Sequence, residues 1–256
     1  MYKLYILCLV PAVLGQLRDR ATVEELASTC IESDGHDHKY EPSPEPDLFE
    51  HCRPWKNRSC CTRNTSEAIH TSDVWLSLDW NHCGNMSAKC LRKFHRETCF
   101  FQCSPNLGPW ITTIIFQNKP YERYRDVPLC ESDCDSWWDA CKDDLTCVGN
   151  WATDFNYTGQ SLLCPANTTC KSFTEIYSNS TNFCEIIWNY DYKVVPDNET
   201  CMQHWFVEGN GNPNDKIALD KANELFDRNQ TTTIFTNITL LILLFFMNLC
   251  KDTFYV

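Results

Sequence analysis

The sequence carries 18 cysteines in 256 residues, and that density constrains the fold more than any other feature. Reducing compartments keep thiols free, so this much cysteine in a chain of this size reads as a secreted, oxidised framework. The cysteines run from Cys30 to Cys201 without a long gap. One domain suits that run better than the two the length would allow. Cys8 and Cys250 stand apart, each in or beside an apolar stretch at one end of the chain. The remaining sixteen are an even number, as full pairing requires. Eight bridges over about two hundred residues would replace part of the stability that a large core normally supplies. Spacing alone leaves their connectivity open.

The two ends carry their own signals. A lysine at position 3 precedes an apolar run from Leu4 to Leu14 and then Gly15. This pattern predicts a secretory signal peptide over 1–15, because the run is too short to span a bilayer. Near the other end, Ile238 to Leu249 is apolar but falls short of the roughly 20 residues of a spanning helix. A polar stretch, Asp227 to Thr233, precedes it. A polar attachment site, a spacer and a greasy tail predict a glycosylphosphatidylinositol (GPI) anchor signal over 229–256, with Asn229 as the attachment residue. A short tilted membrane helix and a fully secreted product are the alternatives. The mature domain is then 16–228, displayed on the outer face of the plasma membrane or released.

Between the ends the net charge of −12 argues against nucleic acid as a partner, since an acidic chain repels phosphate backbones. Sequons at Asn57, Asn64, Asn85, Asn156, Asn167, Asn179, Asn198 and Asn229 support a secretory route and mark expected surface positions. Residues 31–50 are polar and rich in proline, and read as an extended loop. His36-Asp37-His38 lies there. Two histidines at that spacing in a loop are expected to be solvated, so no metal site is assigned. There is no phosphate loop, nucleophile elbow or His-Glu-x-x-His helix, so no catalytic set and no cofactor are expected.

Three segments read as helices. Ser87 to Cys103 opens on a capping serine and puts Cys90, Phe94, Glu97 and Phe101 on one face. Glu131 to Lys142 begins with acidic residues, which suit a helix N-terminus, and gathers Cys134, Trp137, Trp138 and Cys141. Asp215 to Arg228 carries an apolar stripe of Ile217, Ala218, Ala222 and Leu225. Residues 171–195 fit either a helix or short strands. The class is α+β, helix-dominated, disulfide-rich and a single globular domain. On the first helix, Glu97 and Phe101 lie one turn apart. If their face lines a cleft, the ring can stack on a flat ligand and the carboxylate can accept a planar pair of N–H donors. A solvated Glu97 and a core Phe101 fit the same spacing.

Several cysteine-anchored strings, in order, resemble the folate receptor family: Cys52-Arg-Pro-Trp55, Cys60-Cys61, Trp80-Asn-His-Cys-Gly84, Cys103-Ser-Pro-Asn-Leu-Gly-Pro-Trp110, Val127-Pro-Leu-Cys130, Cys134-x-x-Trp-Trp-x-x-Cys141 and Gly211-Asn-Pro-Asn214. The likeness covers residues 25 to 226. It implies eight bridges: Cys30–Cys60, Cys52–Cys99, Cys61–Cys103, Cys83–Cys170, Cys90–Cys141, Cys130–Cys201, Cys134–Cys184 and Cys147–Cys164. It also implies a deep vitamin pocket. Glu97 would grip the ring's N–H groups, Phe101 and Trp188 would sandwich the ring, and Arg123 would meet an acidic tail. Trp80, Tyr192, Phe155, Tyr157 and Asp191 would complete the site.

The resemblance is uneven at the mouth. The basic and aromatic stretch of folate receptors there becomes Ala152 to Tyr157, and Asp154 and Asp191 add negative charge. Pro42 to Pro46, Ala140 to Asp144, Asn150 to Phe155 and Glu175 to Thr181 look closer to the riboflavin-binding branch. The expected function is therefore a cell-surface receptor for folate or a folate-like vitamin. Riboflavin carriage is the alternative. A third is adhesion to a protein partner on another cell, as in a mammalian egg-surface relative that has lost vitamin binding.

Overall fold

A computed structural model describes residues 22–32, 38–116 and 119–228, with the single residue 239. The expected signal peptide, the tail with Asn229, and His36 and Asp37 lie outside the described residues. The helices are α1 (Val23–Ala27), α2 (Arg63–Thr71), α3 (Ala88–Cys103), α4 (Glu131–Cys141), α5 (Phe173–Tyr177), α6 (Ser180–Ile186) and α7 (214–228). The strands are β1 (His38–Ser43), β2 (Ser59–Cys61), β3 (Val74–Trp75), β4 (Leu78–Asp79), β5 (Ile111–Phe116), β6 (Lys119–Tyr124), β7 (Val127–Cys130), β8 (Leu145–Thr146), β9 (Asn156–Tyr157), β10 (Leu162–Leu163), β11 (Lys171–Ser172) and β12 (Tyr192–Val195). They pair as one four-stranded sheet, β3-β4-β10-β9, and four two-stranded ribbons.

Helix α3 is the axis of the fold. The Ser87 side chain accepts the backbone N–H of Cys90, closing the first turn as the sequence predicts. Its buried face includes Cys90, Phe94 and Glu97. Three bridges then tie it down on different sides: Cys90–Cys141 to α4, Cys52–Cys99 to the 3-10 turn Glu50–Trp55, and Cys61–Cys103 to β2. Five more, Cys30–Cys60, Cys83–Cys170, Cys130–Cys201, Cys134–Cys184 and Cys147–Cys164, complete the framework. All eight are the pairings that the family resemblance implies.

Aromatic rings fill the space between the bridges. Phe94 stacks on Trp151 at 4.9 Å with the planes 4° apart, and Trp137 meets Phe94 edge-on at 5.2 Å. Trp137 in turn packs on Phe183 of α6 at 4.6 Å. Such offset and edge contacts suit the ring quadrupoles. Gly108 marks a close crossing, where an added Cβ would lie 2.1 Å from the Leu26 carbonyl oxygen of α1.

Two expectations need correcting. Residues 38–43 form β1 and pair antiparallel with β2, so the segment is only partly loop. Its Pro42 is tolerated because a two-stranded ribbon has a free edge on each side. Residues 171–195 are neither one helix nor one strand but β11, α5, α6 and β12 in succession. The seven sequon asparagines within the described residues are all exposed.

Candidate ligand-binding site

Helix α3 carries Glu97 into the interior, where it is 3% exposed. A buried carboxylate is costly unless it is paired or neutralised. Here the Tyr192 hydroxyl, at the first residue of β12, donates to Glu97 Oε1 at 2.7 Å. Burial pushes the Glu97 carboxyl up to about 8, against the pull of that hydrogen bond. The Asp191 charge adds to the rise, and the nearby Trp188 indole opposes it. The buried Trp188 N–H meets no acceptor at full hydrogen-bond geometry, yet it lies near enough to the Glu97 carboxyl to favour its ionised form. Near neutral pH the carboxyl is mainly protonated. A ligand that brings N–H donors of its own would favour the ionised form.

The turn between α6 and β12 positions Trp188. Asn189 and Tyr190 both adopt left-handed backbone, with φ of 54° and 64°. Strain of this kind persists where the surroundings fix it. Arg123, on β6, supplies the brace. Its guanidinium donates to the Trp188 carbonyl at 2.7 Å and pairs with the Asp191 carboxylate, where the Nε contact is 3.0 Å. Burial lifts Asp191 to about 7, and the Arg123 charge opposes the rise. Asp191 therefore does not stand as an added free negative charge, as the sequence suggested. Nor is Arg123 an uncommitted cation.

Phe101 and Trp188 are both half-buried. Each is held by another ring: Phe101 meets Tyr124 edge-on at 5.1 Å, and Trp188 meets Trp151 edge-on at 5.7 Å. Glu97, Tyr192, Trp188, Asp191 and Arg123 form one connected group, and Phe101 follows Glu97 one turn along α3. Trp80 is instead a core residue between Phe94 and Trp151. Phe155 is buried against His82 and Trp151. Tyr157 points out, 62% exposed, and donates its hydroxyl to the Gly159 carbonyl. These three have no contact with Glu97 among the interactions described.

Sequence reasoning missed Tyr124 and His38. Tyr124 is buried, and the alternation of β6 puts it on the opposite side from Arg123. That signal was readable once 119–124 was recognised as a strand. His38 comes from the segment read as a loop, and its ring lies 6.4 Å from Phe101. Two surface cavities, of 350 Å³ beside Trp110 and Ile217 and of 640 Å³ beside Trp205 and Pro213, do not touch this group.

The sequence model of the folate receptor family matches residues 29–203. The chain belongs to that family. Folate receptor gamma of Homo sapiens is 38% identical over 223 residues, which is 85% of this chain and 90% of that protein. Folate receptor alpha of Homo sapiens is 38% identical over 222 residues, 84% of this chain and 85% of that protein. The riboflavin-binding protein of Gallus gallus is 35% identical over 178 residues, 68% and 70% of the two chains. The family match encloses every member of the Glu97 group, from α3 to β12. Among the described residues no helix is long and apolar enough to cross a membrane.

Proposed function

We propose that this family member is a cell-surface receptor for folate or a reduced folate. The observation that carries the reading is the Glu97 carboxyl, buried beside the Trp188 N–H, with Phe101 one turn away. A pterin offers a flat ring for stacking and adjacent N–H groups for a carboxylate. Arg123 acts as a positioning residue: it holds the turn that carries Trp188 rather than gripping the ligand's tail. The role is binding rather than catalysis. The sixteen cysteines from Cys30 to Cys201 are all in bridges, so none of them is a free thiol nucleophile. The protein sits on the outer face of the plasma membrane, glycosylated at the exposed sequons and anchored through Asn229 after loss of 230–256. Release from cells by a phosphatidylinositol-specific phospholipase tests the anchor; retention on the cell would refute it.

The Arg123–Asp191 pair favours one second reading. With its cation neutralised, the pocket suits an uncharged ring system such as riboflavin better than an acidic tail. Titration of the purified protein with folic acid and with riboflavin, followed by tryptophan fluorescence, separates the two. Quenching by folic acid supports the receptor reading, and quenching by riboflavin alone replaces it with flavin carriage. Silence toward both would leave adhesion to a protein partner.

A further inference from the structure

Three histidines from three different elements converge on the far side of the Cys52–Cys99 bridge from any role considered above. His51 lies in the 3-10 turn, His70 near the end of α2, and His95 in α3. The ring centroids of His51 and His70 are 5.4 Å apart, and those of His70 and His95 are 4.8 Å apart. Ligand atoms of Glu50, His51 and His70 all lie within 4.8 Å of one another. Spacings of 19 and 25 residues along the chain hide this cluster, which only the fold assembles.

The surroundings resemble a metal site in their second layer. His70 Nδ1 lies 2.7 Å from the Ser66 carbonyl oxygen. A proton on that nitrogen leaves Nε2 with a free lone pair. Histidines that bind metals usually anchor their other nitrogen to a carbonyl or carboxylate in this way. In the protein as it stands, Nε2 accepts the His51 backbone N–H at a long 3.2 Å, a contact that an ion would replace. The 3-10 turn is fixed from two directions. The Cys52–Cys99 bridge ties it to α3, and the Trp205 indole donates to the His51 carbonyl at 3.0 Å. The sulfurs of that bridge also lie within 4.8 Å of His70, but as a disulfide they are not ligands. Glu50 is exposed, with φ at +34°, and has no ion-pair partner among the described residues. Arg96, stacked 4.2 Å over the Trp205 ring, and Arg92 are the nearby charges that oppose a cation.

We infer that Glu50, His51 and His70 form a binding site for a divalent transition metal of the zinc type, with His95 packed on His70 to fix its ring. Two imidazoles and one carboxylate are a donor set that suits Zn²⁺ with one position left for water or another ligand. All three histidines are half-buried, so the ion can reach them. No vitamin takes part, and the result is independent of the binding role proposed above.

The test is calorimetric titration of the full-length protein, made in an oxidising secretory host, with zinc chloride. Cobalt(II) absorption serves as a second probe of coordination. One Zn²⁺ per chain is expected, together with visible cobalt bands of a four-coordinate site. His51→Ala should weaken binding by more than about 100-fold, beyond the 10–100-fold that loss of an outer partner costs. Glu50→Gln, on an exposed side chain, serves as a second variant that leaves the imidazoles intact; a loss of at least about 100-fold is expected, and unchanged affinity would overturn Glu50 as a ligand. A thiol assay that matches the wild-type protein, together with an unchanged melting temperature, confirms that each variant has folded. Failure to bind stoichiometric Zn²⁺ would overturn the site. So would full binding by a folded His51→Ala protein, because the ion would then lie elsewhere.

Discussion

Glu97→Gln is the sharpest perturbation of the proposed pocket, because it keeps the side chain's size and removes its charge. In the folded protein the carboxyl holds its proton up to about 8, whereas the ordinary value is 4.5. Its contribution to stability is therefore complete below 4.5 and lost as pH rises through 8. The difference is at most about 5 kcal/mol, reduced to the extent that solvent relaxes around the charge. Wild-type protein without ligand should melt at progressively lower temperature from pH 5 to pH 8, and Glu97→Gln should show a flatter profile. Binding should respond in the opposite sense. If a ligand's N–H pair needs the carboxylate, the ionised fraction falls about tenfold per pH unit well below 8. From pH 8 to pH 5.5, folate affinity should drop about 100-fold, equivalent to about 2.7 kcal/mol. Glu97→Gln should bind weakly at both values with little slope. The measurement is fluorescence titration across pH. A flat wild-type profile, or a Gln variant with wild-type affinity and slope, would refute the role of Glu97.

Arg123→Met should leave Asp191 buried without its cation and destabilise the fold by about 3 kcal/mol; pairing it with Asp191→Asn should recover much of that loss in urea denaturation. Gly108→Ala drives a methyl into the Leu26 carbonyl oxygen, 2.1 Å away. A loss of about 1–3 kcal/mol is expected from the resulting shift, read as a lower melting temperature. Replacing both cysteines of Cys83–Cys170 should cost about 3.3 kcal/mol, scarcely more than the roughly 3.1 for Cys147–Cys164, because the intact Cys90–Cys141 and Cys147–Cys164 bridges already shorten its loop to about 20 residues. A loss for Cys83–Cys170 well above that for Cys147–Cys164 in chemical denaturation would contradict this loop-entropy account.

The legible parts of the molecule were those written locally. The capping Ser87 and the four-residue rhythm of Cys90, Phe94 and Glu97 specify α3 within one stretch of chain, and the acidic opening of α4 does the same. The bridges came from the ordered strings of the family resemblance, since spacing alone admits many pairings. What stayed hidden depends on partners distant in sequence. Two-residue strands such as β8 and β11 have no periodicity to read, and exist because Leu145 and Thr146 meet Ser172 and Lys171. The three histidines around the Cys52–Cys99 bridge share no motif. Trp80 and Phe155 are buried among other rings, and in sequence the aromatic type is the same signal in a core and in a pocket.

The Arg123–Asp191 pair shows why residue type alone misjudged the electrostatics. Counted along the sequence, a kept arginine and an added aspartate are one site for an anion and one against it. In the fold they share hydrogen bonds at 15% and 10% side-chain exposure, so together they present little net charge to a ligand. Glu97, protonated near neutral pH, adds little more until a donor arrives. The group is then close to neutral when it meets its ligand. Ring contact with Phe101 and Trp188 and hydrogen bonding to Glu97 would set affinity, because long-range attraction has no uncompensated charge in this group to act through. Such a site can hold two buried carboxyls because α3 is anchored by three bridges and the 188–191 turn by Arg123. The framework fixes the positions that an unpaired polar group would otherwise abandon for water.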